Sequence, residues 1–566
     1  MAGLCSPRLT NEELYLFQKL MRGVLGTNHI DHAGGYSYAG QLALREALGY
    51  GASTNSMNEV RNADVIMALR SDTSETHPVM KSEIVLAVKH RKAKLITVNS
   101  RNIYLNKFSS LNLRVRPGTE VALLNGMMHV ILKEGLAREE FIQSRTEGIG
   151  RLKNQLNSYS PEKTEALTGI PAASLTEGAR LFARAPKAVI LISAGQASGK
   201  EDATLAKAAA DLALLTGQVG REGAGLFILG EKNNSQGALD MGVTPGLLPG
   251  YGDIQNPAER ARFEKAWEMA LPAKPGMKAL NIFKAAEEGK VKGLYIVGEN
   301  PRVSYPDSQR LKKVLAQVDF LVVQDFFMTE TAAAAQVVLP TIPFAEKDGT
   351  FTNLERRVQR VRRTLLPPGE AKPDLWVFQE LARALGKPLG NLSPKSVMDE
   401  IRSLVPLYGG MDYARLEAPE GLQWPCPSLE HPGTPFLYAT DFAGGTGKFV
   451  AVDCEPDPSD PEYPWVLFTG PTLVHSGSLS TMDPGLLKLK GESCVDVHPE
   501  DARKLGLGEQ QKVTLRSKQG KIIVPVHISR RVAPGVLFLP YHFKAQGANQ
   551  LTGWDLGTLR VHMEKI

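Results

Sequence analysis

Polar residues in this chain gather directly after short apolar runs, in combinations that can hold a phosphate, a ribose or the edge of a purine. Gly49-Tyr50-Gly51-Ala52-Ser53-Thr54-Asn55-Ser56 has glycines that let a backbone come close and hydroxyls that can donate to a phosphate, with Thr54 and Asn55 as candidate contacts. The same string also reads as an ordinary turn and helix cap. Arg101, in Asn99-Ser100-Arg101, could grip a phosphate bidentately or lie on the surface. Gly118 and Thr119 form a Pro-Gly turn that presents amides, unless Thr119 simply caps a helix. Gly298-Glu299-Asn300-Pro301 and Gln324-Asp325 each follow an apolar run; a carboxylate such as Asp325 can accept both hydrogens of a guanine edge, anchor a ribose or cap a helix. Lys347 and Asp348, in Glu346 to Asn353, suggest a ligand loop or an interface loop. The string Leu229 to Gly237, with Asn233, Asn234 and Gln236, could satisfy a heterocycle. Together these loops imply a large polar ligand between two α/β domains.

The elements behind the loops follow from apolar periodicity. Ala63 to Leu69 predicts a strand, His77 to His90 a helix and Lys94 to Val98 the next strand, a right-handed parallel crossover. Similar units are predicted at Ala188 to Ser193 with a helix through Ala203 to Thr216, and at Gly293 to Val297 with a helix around Ser308 to Gln317 and a strand at Phe320 to Val323. Val337 to Pro340 adds a strand. Repeated units of this kind give doubly wound sheets whose ligands lie beyond the carboxyl ends of the strands. From about Ala418 to Pro464 the chain is rich in Pro, Gly, Asp and Glu, a linker or irregular wrap. Trp465 to Phe468, Gln511 to Arg516, Lys521 to Ile528 and Gly535 to Leu539 then predict a small β-barrel.

Composition narrows the function. The chain has 566 residues, enough for roughly three or four domains. Lys and Arg number 66 against 60 Asp and Glu, and the net charge of +6 is scattered, so no case for nucleic acid arises. Apolar runs are strand-sized, far short of the roughly 20 residues of a membrane span. No basic region followed by an apolar segment opens the chain, so a cytoplasmic location is expected. The four cysteines, Cys5, Cys426, Cys454 and Cys494, are too dispersed for a CxxC pair or a cluster-binding run. Any iron-sulfur carrier is expected on another chain.

In their order, these strings resemble the molybdopterin oxidoreductases, namely the large subunit of molybdenum- or tungsten-dependent formate dehydrogenases and the large iron-sulfur subunit of NADH-quinone oxidoreductase. The resemblance runs through Leu9 to Tyr15, Ser144 to Gly148, Asn233 to Gly242, Gly298 to Pro301, Asp348 to Arg357, Val497 to Ala502 and Pro540 to Phe543. It implies two doubly wound α/β domains that form a cleft for two guanine-dinucleotide pterins, and a C-terminal dinucleotide-binding β-barrel. The implied division is 1–31 with 232–440, 32–231, a linker at 441–464 and the barrel at 465–566. Gln196 in the pterin loop, with His475, His542 and Asn549 in the barrel, joins the implied cofactor contacts.

The departures are as informative. The family's N-terminal iron-sulfur domain is expected to be missing. The segment that should carry a metal-ligating cysteine or selenocysteine reads Asp31 to Gly40, with Tyr36 and Ser37 at its centre and no thiolate. The arginine that neutralises formate falls on Gly230 or, with one inserted residue, on Leu229; Lys232 is the nearby cation and Glu231 would repel a carboxylate. Tyr36, Ser37 or Asp31 could instead ligate the metal through oxygen, and His29 and His32 could carry protons or be ordinary hydrogen-bonded histidines. Two readings follow: a scaffold subunit serving iron-sulfur and flavin chains without formate oxidation, or an active molybdenum or tungsten bis-pterin oxidoreductase with its clusters on a partner. A free-standing nucleotide-binding protein is a weaker third.

Overall fold

The computed structural model describes residues 1–566 apart from 33–36, 194–198, 456–458, 476, 545–546 and 556. It divides into two compact units, Met1–Ser37 with Lys232–Pro435, and Tyr38–Glu231 with Phe436–Ile566.

In the first unit, five parallel strands lie in the order Val337–Pro340, Phe320–Asp325, Gly293–Val297, Ala2–Cys5 and Ile30–His32. Leu4 is paired with Ile296 on one side and Asp31 on the other, so the N-terminal strand lies inside the sheet. The helix Asn11–Lys19 begins at a reciprocal cap: Thr10 Oγ1 accepts from the Glu13 amide at 3.3 Å and the Thr10 amide donates to Glu13 Oε2 at 3.0 Å. All nine of its residues are buried.

In the second unit, a parallel sheet runs Leu111–Leu113, Lys94–Val98, Val65–Leu69, Ala188–Ser193 and Gly225–Leu229. The chain moves outward from Val65–Leu69 in one direction, then returns to start Ala188–Ser193 on its other side. The order therefore reverses between these two strands, where a doubly wound sheet opens a crevice at its carboxyl edge. Both strands are buried along their whole length, which explains their continuous apolar runs.

The same unit ends in a closed barrel of six strands, in the order Trp465–Gly470, Val536–Pro540, Val495–Val497, Lys521–Ile528, Lys512–Arg516 and Arg560–Lys565. Closure removes the free edges that short strands would otherwise expose. Among the described residues no helix is long and apolar enough to cross a membrane.

One buried acid in this unit gives a pH-dependent prediction. Asp211, on the helix Gly199–Leu215, accepts from the Val450 amide at 2.8 Å through Oδ1, while Oδ2 has no hydrogen-bond partner among the described residues. Burial pushes its pKa from 3.8 up to about 7. The folded state therefore holds the proton more tightly than the unfolded chain, and stability falls as pH rises from about 4 to about 7. Asp211→Asn is expected to leave stability nearly unchanged at the acid end and to raise it by roughly 1–3 kcal/mol above neutrality. Thermal unfolding across that range checks this, and a pH-independent difference would refute it.

Candidate functional site

The carboxyl edge of the second unit's sheet collects polar groups directly after its strands. Val65–Leu69 runs into Arg70-Ser71-Asp72-Thr73, Lys94–Val98 into Asn99-Ser100-Arg101, and Ala188–Ser193 ends on Ser193 itself. Among the described residues, the hydroxyls of Ser71, Thr73, Ser100 and Ser193 and Nε of Arg101 are buried without a hydrogen-bond partner. Buried polar atoms are rarely left this way, and a cluster of donors on three adjacent strand ends is the donor set that phosphates and a polar heterocycle require. A pterin dinucleotide fits it.

Arg101 lies with its guanidinium 3.4 Å from the centre of the Phe538 ring. Burial, with the nearby Arg531 cation, lowers its pKa to about 10, so it remains protonated. Arg531, on the barrel, donates to Asp72 at 3.2 Å and Glu75 at 3.1 Å, and its carbonyl accepts from the Asn102 amide at 2.7 Å. These contacts fix the barrel against the loops that follow the first two strands. His475 is fully buried: its Nε2 donates to the Lys490 carbonyl at 2.7 Å, Ser480 Oγ lies 3.2 Å from Nδ1, and its ring centre is 5.7 Å from that of His542. The Thr472 and Gly477 amides approach the His542 ring nitrogens at 3.2 and 3.3 Å. Thr472 and Ser493 add two more buried hydroxyls without partners among the described residues. Asn549 lies half-buried in the short turn Ala548–Gln550.

The structure uses other expected contacts differently. Thr54 and Asn55 are turned onto their own chain. Thr54 Oγ1 donates to Asn55 Oδ1 at 2.6 Å and accepts from the Leu226 amide at 2.9 Å, and Asn55 Nδ2 donates to Glu59 at 2.8 Å and to the Arg221 carbonyl at 2.9 Å. A side chain on Gly225 would come within 2.0 Å of Asn55 and 2.2 Å of Thr54, so a glycine here lets the loop brace the strand. The side chains of Thr54 and Asn55 thus make hydrogen bonds within the fold. Gly118 has a φ of +76° with open space around its Cα, and Thr119 Oγ1 donates back to the Arg116 carbonyl at 2.7 Å without capping the following helix. Gln196 and Tyr36 lie outside the described residues.

In the first unit the strand-end residues form two buried networks. Gln324 Nε2 donates to Asp374 at 2.6 Å, and Lys347 Nζ sits 2.6 Å from Asp374 and 2.9 Å from Glu13, with the Lys347 side chain 5% exposed. Burial opposes its charge, but Asp374 and Glu13 hold the ammonium above its ordinary range. Lys347 is thus committed to two internal carboxylates. Asn300 Nδ2 donates to Glu330 at 2.7 Å and its Oδ1 accepts from Thr331 Oγ1 at 2.8 Å. Gly298, at φ +63°, follows Gly293–Val297, and its amide donates to the Gln324 carbonyl at 2.8 Å. Burial pushes Asp325 up to about 6, and Asp348 is half-exposed beside Arg360 at 3.8 Å.

Gln236, on the helix Ser235–Asp240, belongs to a separate network. It donates at 2.9 Å to Asp240, which also accepts from Tyr251 at 2.7 Å, Tyr408 at 2.6 Å and Trp424 at 2.7 Å. Asp31 accepts from the Ala279 and His32 amides at 2.7 and 2.9 Å. His32 is buried with Nδ1 donating to the Val243 carbonyl at 2.6 Å, and burial lowers its pKa to about 4, so it is neutral near pH 7. Ser37 is a half-buried turn residue.

At the end of Gly225–Leu229, Leu229 is buried, the Gly230 carbonyl accepts from His77 Nε2 at 3.1 Å, and Glu231 accepts from Tyr541 OH at 3.0 Å. The Lys232 amide donates to Ser235 Oγ at 3.1 Å. Among the described residues no group of three or more His, Cys, Asp or Glu could hold a metal ion.

Residues 1–384 match the family model "Molybdopterin oxidoreductase" and residues 466–560 match "Molydopterin dinucleotide binding domain". The chain belongs to the molybdopterin oxidoreductase family. This molybdopterin oxidoreductase chain is 38% identical to the F420-dependent formate dehydrogenase 1 subunit alpha of Methanococcus maripaludis, over 97% of its own length and 82% of the relative's. It is 32% identical to formate dehydrogenase H of Escherichia coli, over 97% and 78% of the two chains. Its fold is similar to that of acetylene hydratase from Pelobacter acetylenicus, with a TM-score of 0.76, 20% identity and coverage of 100% and 86%.

Arg70, Ser71, Thr73, Ser193, Thr472 and Arg531 escaped the reading from sequence. A hydroxyl or guanidinium at the end of a predicted strand or in the four residues after it was the available signal.

Proposed function

We propose that this chain is a formate-dehydrogenase-like scaffold subunit of a multi-subunit electron-transfer complex that does not itself oxidise formate. The loop after Gly225–Leu229 carries this reading. Where the family resemblance implies a guanidinium for formate, the chain has buried Leu229, Gly230 with its carbonyl bonded to His77, and the Glu231 carboxylate. An apolar side chain and an anion both disfavour a bound carboxylate. Partner chains carrying iron-sulfur clusters and a flavin, and a cytoplasmic setting, complete the proposal.

A bis-molybdopterin guanine dinucleotide remains part of it. Ser71, Thr73, Ser100, Arg101 and Ser193 would hold phosphates and polar ring atoms, and His475 and His542 would contribute from the barrel. When bound, such pterins supply sulfur ligands to a molybdenum or tungsten ion. The chain's own residues would bind and orient the nucleotide and exclude water from it; none of those named supplies a thiolate.

The partnerless hydroxyls also favour a second reading, an active molybdenum or tungsten oxidoreductase with its clusters on a partner chain. Metal analysis with an assay of formate turnover separates the two. Under the first reading, purified chain contains substoichiometric metal and shows no formate turnover. Stoichiometric molybdenum or tungsten with formate oxidation by the chain alone would overturn it.

A further inference from the structure

At the crevice of the second unit's sheet, one large cation stands where the backbone favours glycine. Arg70 follows Val65–Leu69 with a φ of +49°, a left-handed conformation that costs a non-glycine residue of order 1–3 kcal/mol. Leu69 pairs with Ile192, so the next residues, Arg70 and Ser193, stand side by side where the strand order reverses. The Arg70 side chain is 15% exposed and that of Asp202, with which it forms an ion pair through Nη2, is 2% exposed. A buried ion pair is weak evidence of stabilisation, because removing two charges from water offsets most of their attraction.

Several buried polar atoms here are left without partners among the described residues. Among the described residues Arg70 Nε has no hydrogen-bond partner, nor do the buried hydroxyls of Ser71, Thr73 and Ser193 in the same strand ends. The acceptor that the guanidinium does hold is a carboxylate from its own chain, the chemical group that an anionic ligand would present. Glu120 and Glu201 also act on Arg70, so an incoming anion gains a place only when Asp202 yields it.

We propose that Arg70 is the centre of an oxyanion seat that Asp202 fills in this structure, and that a small carboxylate or a phosphate oxygen of a ligand takes Asp202's place. The proposal rests on the reading of this sheet edge as ligand-binding, and it adds a cation distinct from Arg101. Opening the seat breaks the ion pair and leaves Asp202 to be met by solvent or by the hydroxyls around it.

The test measures binding of formate by proton saturation-transfer NMR, and of inorganic phosphate by phosphorus NMR, to the full chain and its variants. Asp202→Asn removes the internal competitor's charge and is expected to bind one of the two anions roughly tenfold more tightly than the unaltered chain, the worth of about one charge-assisted hydrogen bond. A gain for formate alone assigns the seat to a carboxylate; a gain for phosphate alone assigns it to the phosphate end of a nucleotide. Arg70→Gln in the Asp202→Asn background is expected to abolish the gain. Should that variant not fold, Arg70→Lys in the same background is expected to lose most of it, because an ammonium lacks the planar fork. Unchanged affinity of Asp202→Asn for both anions, or a gain that survives loss of the guanidinium, would overturn the proposal. Absence of pterin from the purified chain would instead count against the cofactor reading and leave these affinities readable.

Discussion

Replacing Asp240 by Ala is expected to destabilise the first unit by at least ~4 kcal/mol, because one carboxylate satisfies four buried donors. Gln236 and Tyr251 share one of its oxygens, and Tyr408 and Trp424 share the other. Trp424 and Tyr408 are fully buried, so their freed N–H and O–H groups have no water to turn to. Burial pushes Asp240 up to about 6 while all four donors pull it back, so near pH 7 the group is an anion held in place by hydrogen bonds alone. Asp240→Asn retains acceptor capacity at one oxygen and is expected to lose about half as much. Denaturant unfolding followed by tryptophan fluorescence reads this directly. A loss below about 1 kcal/mol for the alanine variant would show that the network is dispensable.

Lys347→Met is expected to cost roughly 3–5 kcal/mol at neutral pH, since it leaves two buried carboxylates facing each other without their cation. The loss should depend on pH in a definite direction. Burial already pushes Glu13 up to about 7 against the pull of Lys347, so in the folded state the acid is more readily protonated than in the unfolded chain. Ionising it therefore costs stability progressively as pH rises from its ordinary range of about 4.5 towards 7, and removing Lys347 widens that penalty. The variant should come closest to the unaltered protein near pH 5 and fall furthest behind near pH 8. A deficit constant across that interval would mean that the carboxylates are not the source of the effect. Because Lys347 sits in a loop first suggestive of a ligand, unchanged stability would return it to the candidate ligand contacts.

The predicted elements are those with long apolar runs. Lys94–Val98, Ala188–Ser193, Gly293–Val297, Ser308–Gln317, Val337–Pro340 and Lys521–Ile528 have the boundaries that periodicity gives; in the first three, buried parallel strands leave almost no polar face to blur them. Ala2–Cys5 and Ile30–His32 escaped notice: one is a run of four small or apolar residues, the other holds two polar residues that the core satisfies through Ala279 and Val243. Thr54 and Asn55 look like phosphate contacts in sequence, and only the absence of a side chain at Gly225 shows that they face inward. Lys347 and Gln324 were visible as polar residues after strands, but their partner Asp374 lies on a distant helix and no local pattern connects them. Arg70 was hidden by the opposite effect, because a positive φ at a strand end is a property of the backbone that an arginine does not advertise.

The position of Ala2–Cys5 bears on how this polypeptide is made. Ala2 pairs with Leu294 and Gly3 with Ile30, so this strand waits for a stretch translated nearly three hundred codons later before its sheet can close. In the interim the strand's unpaired backbone needs shielding on the ribosome or by a chaperone.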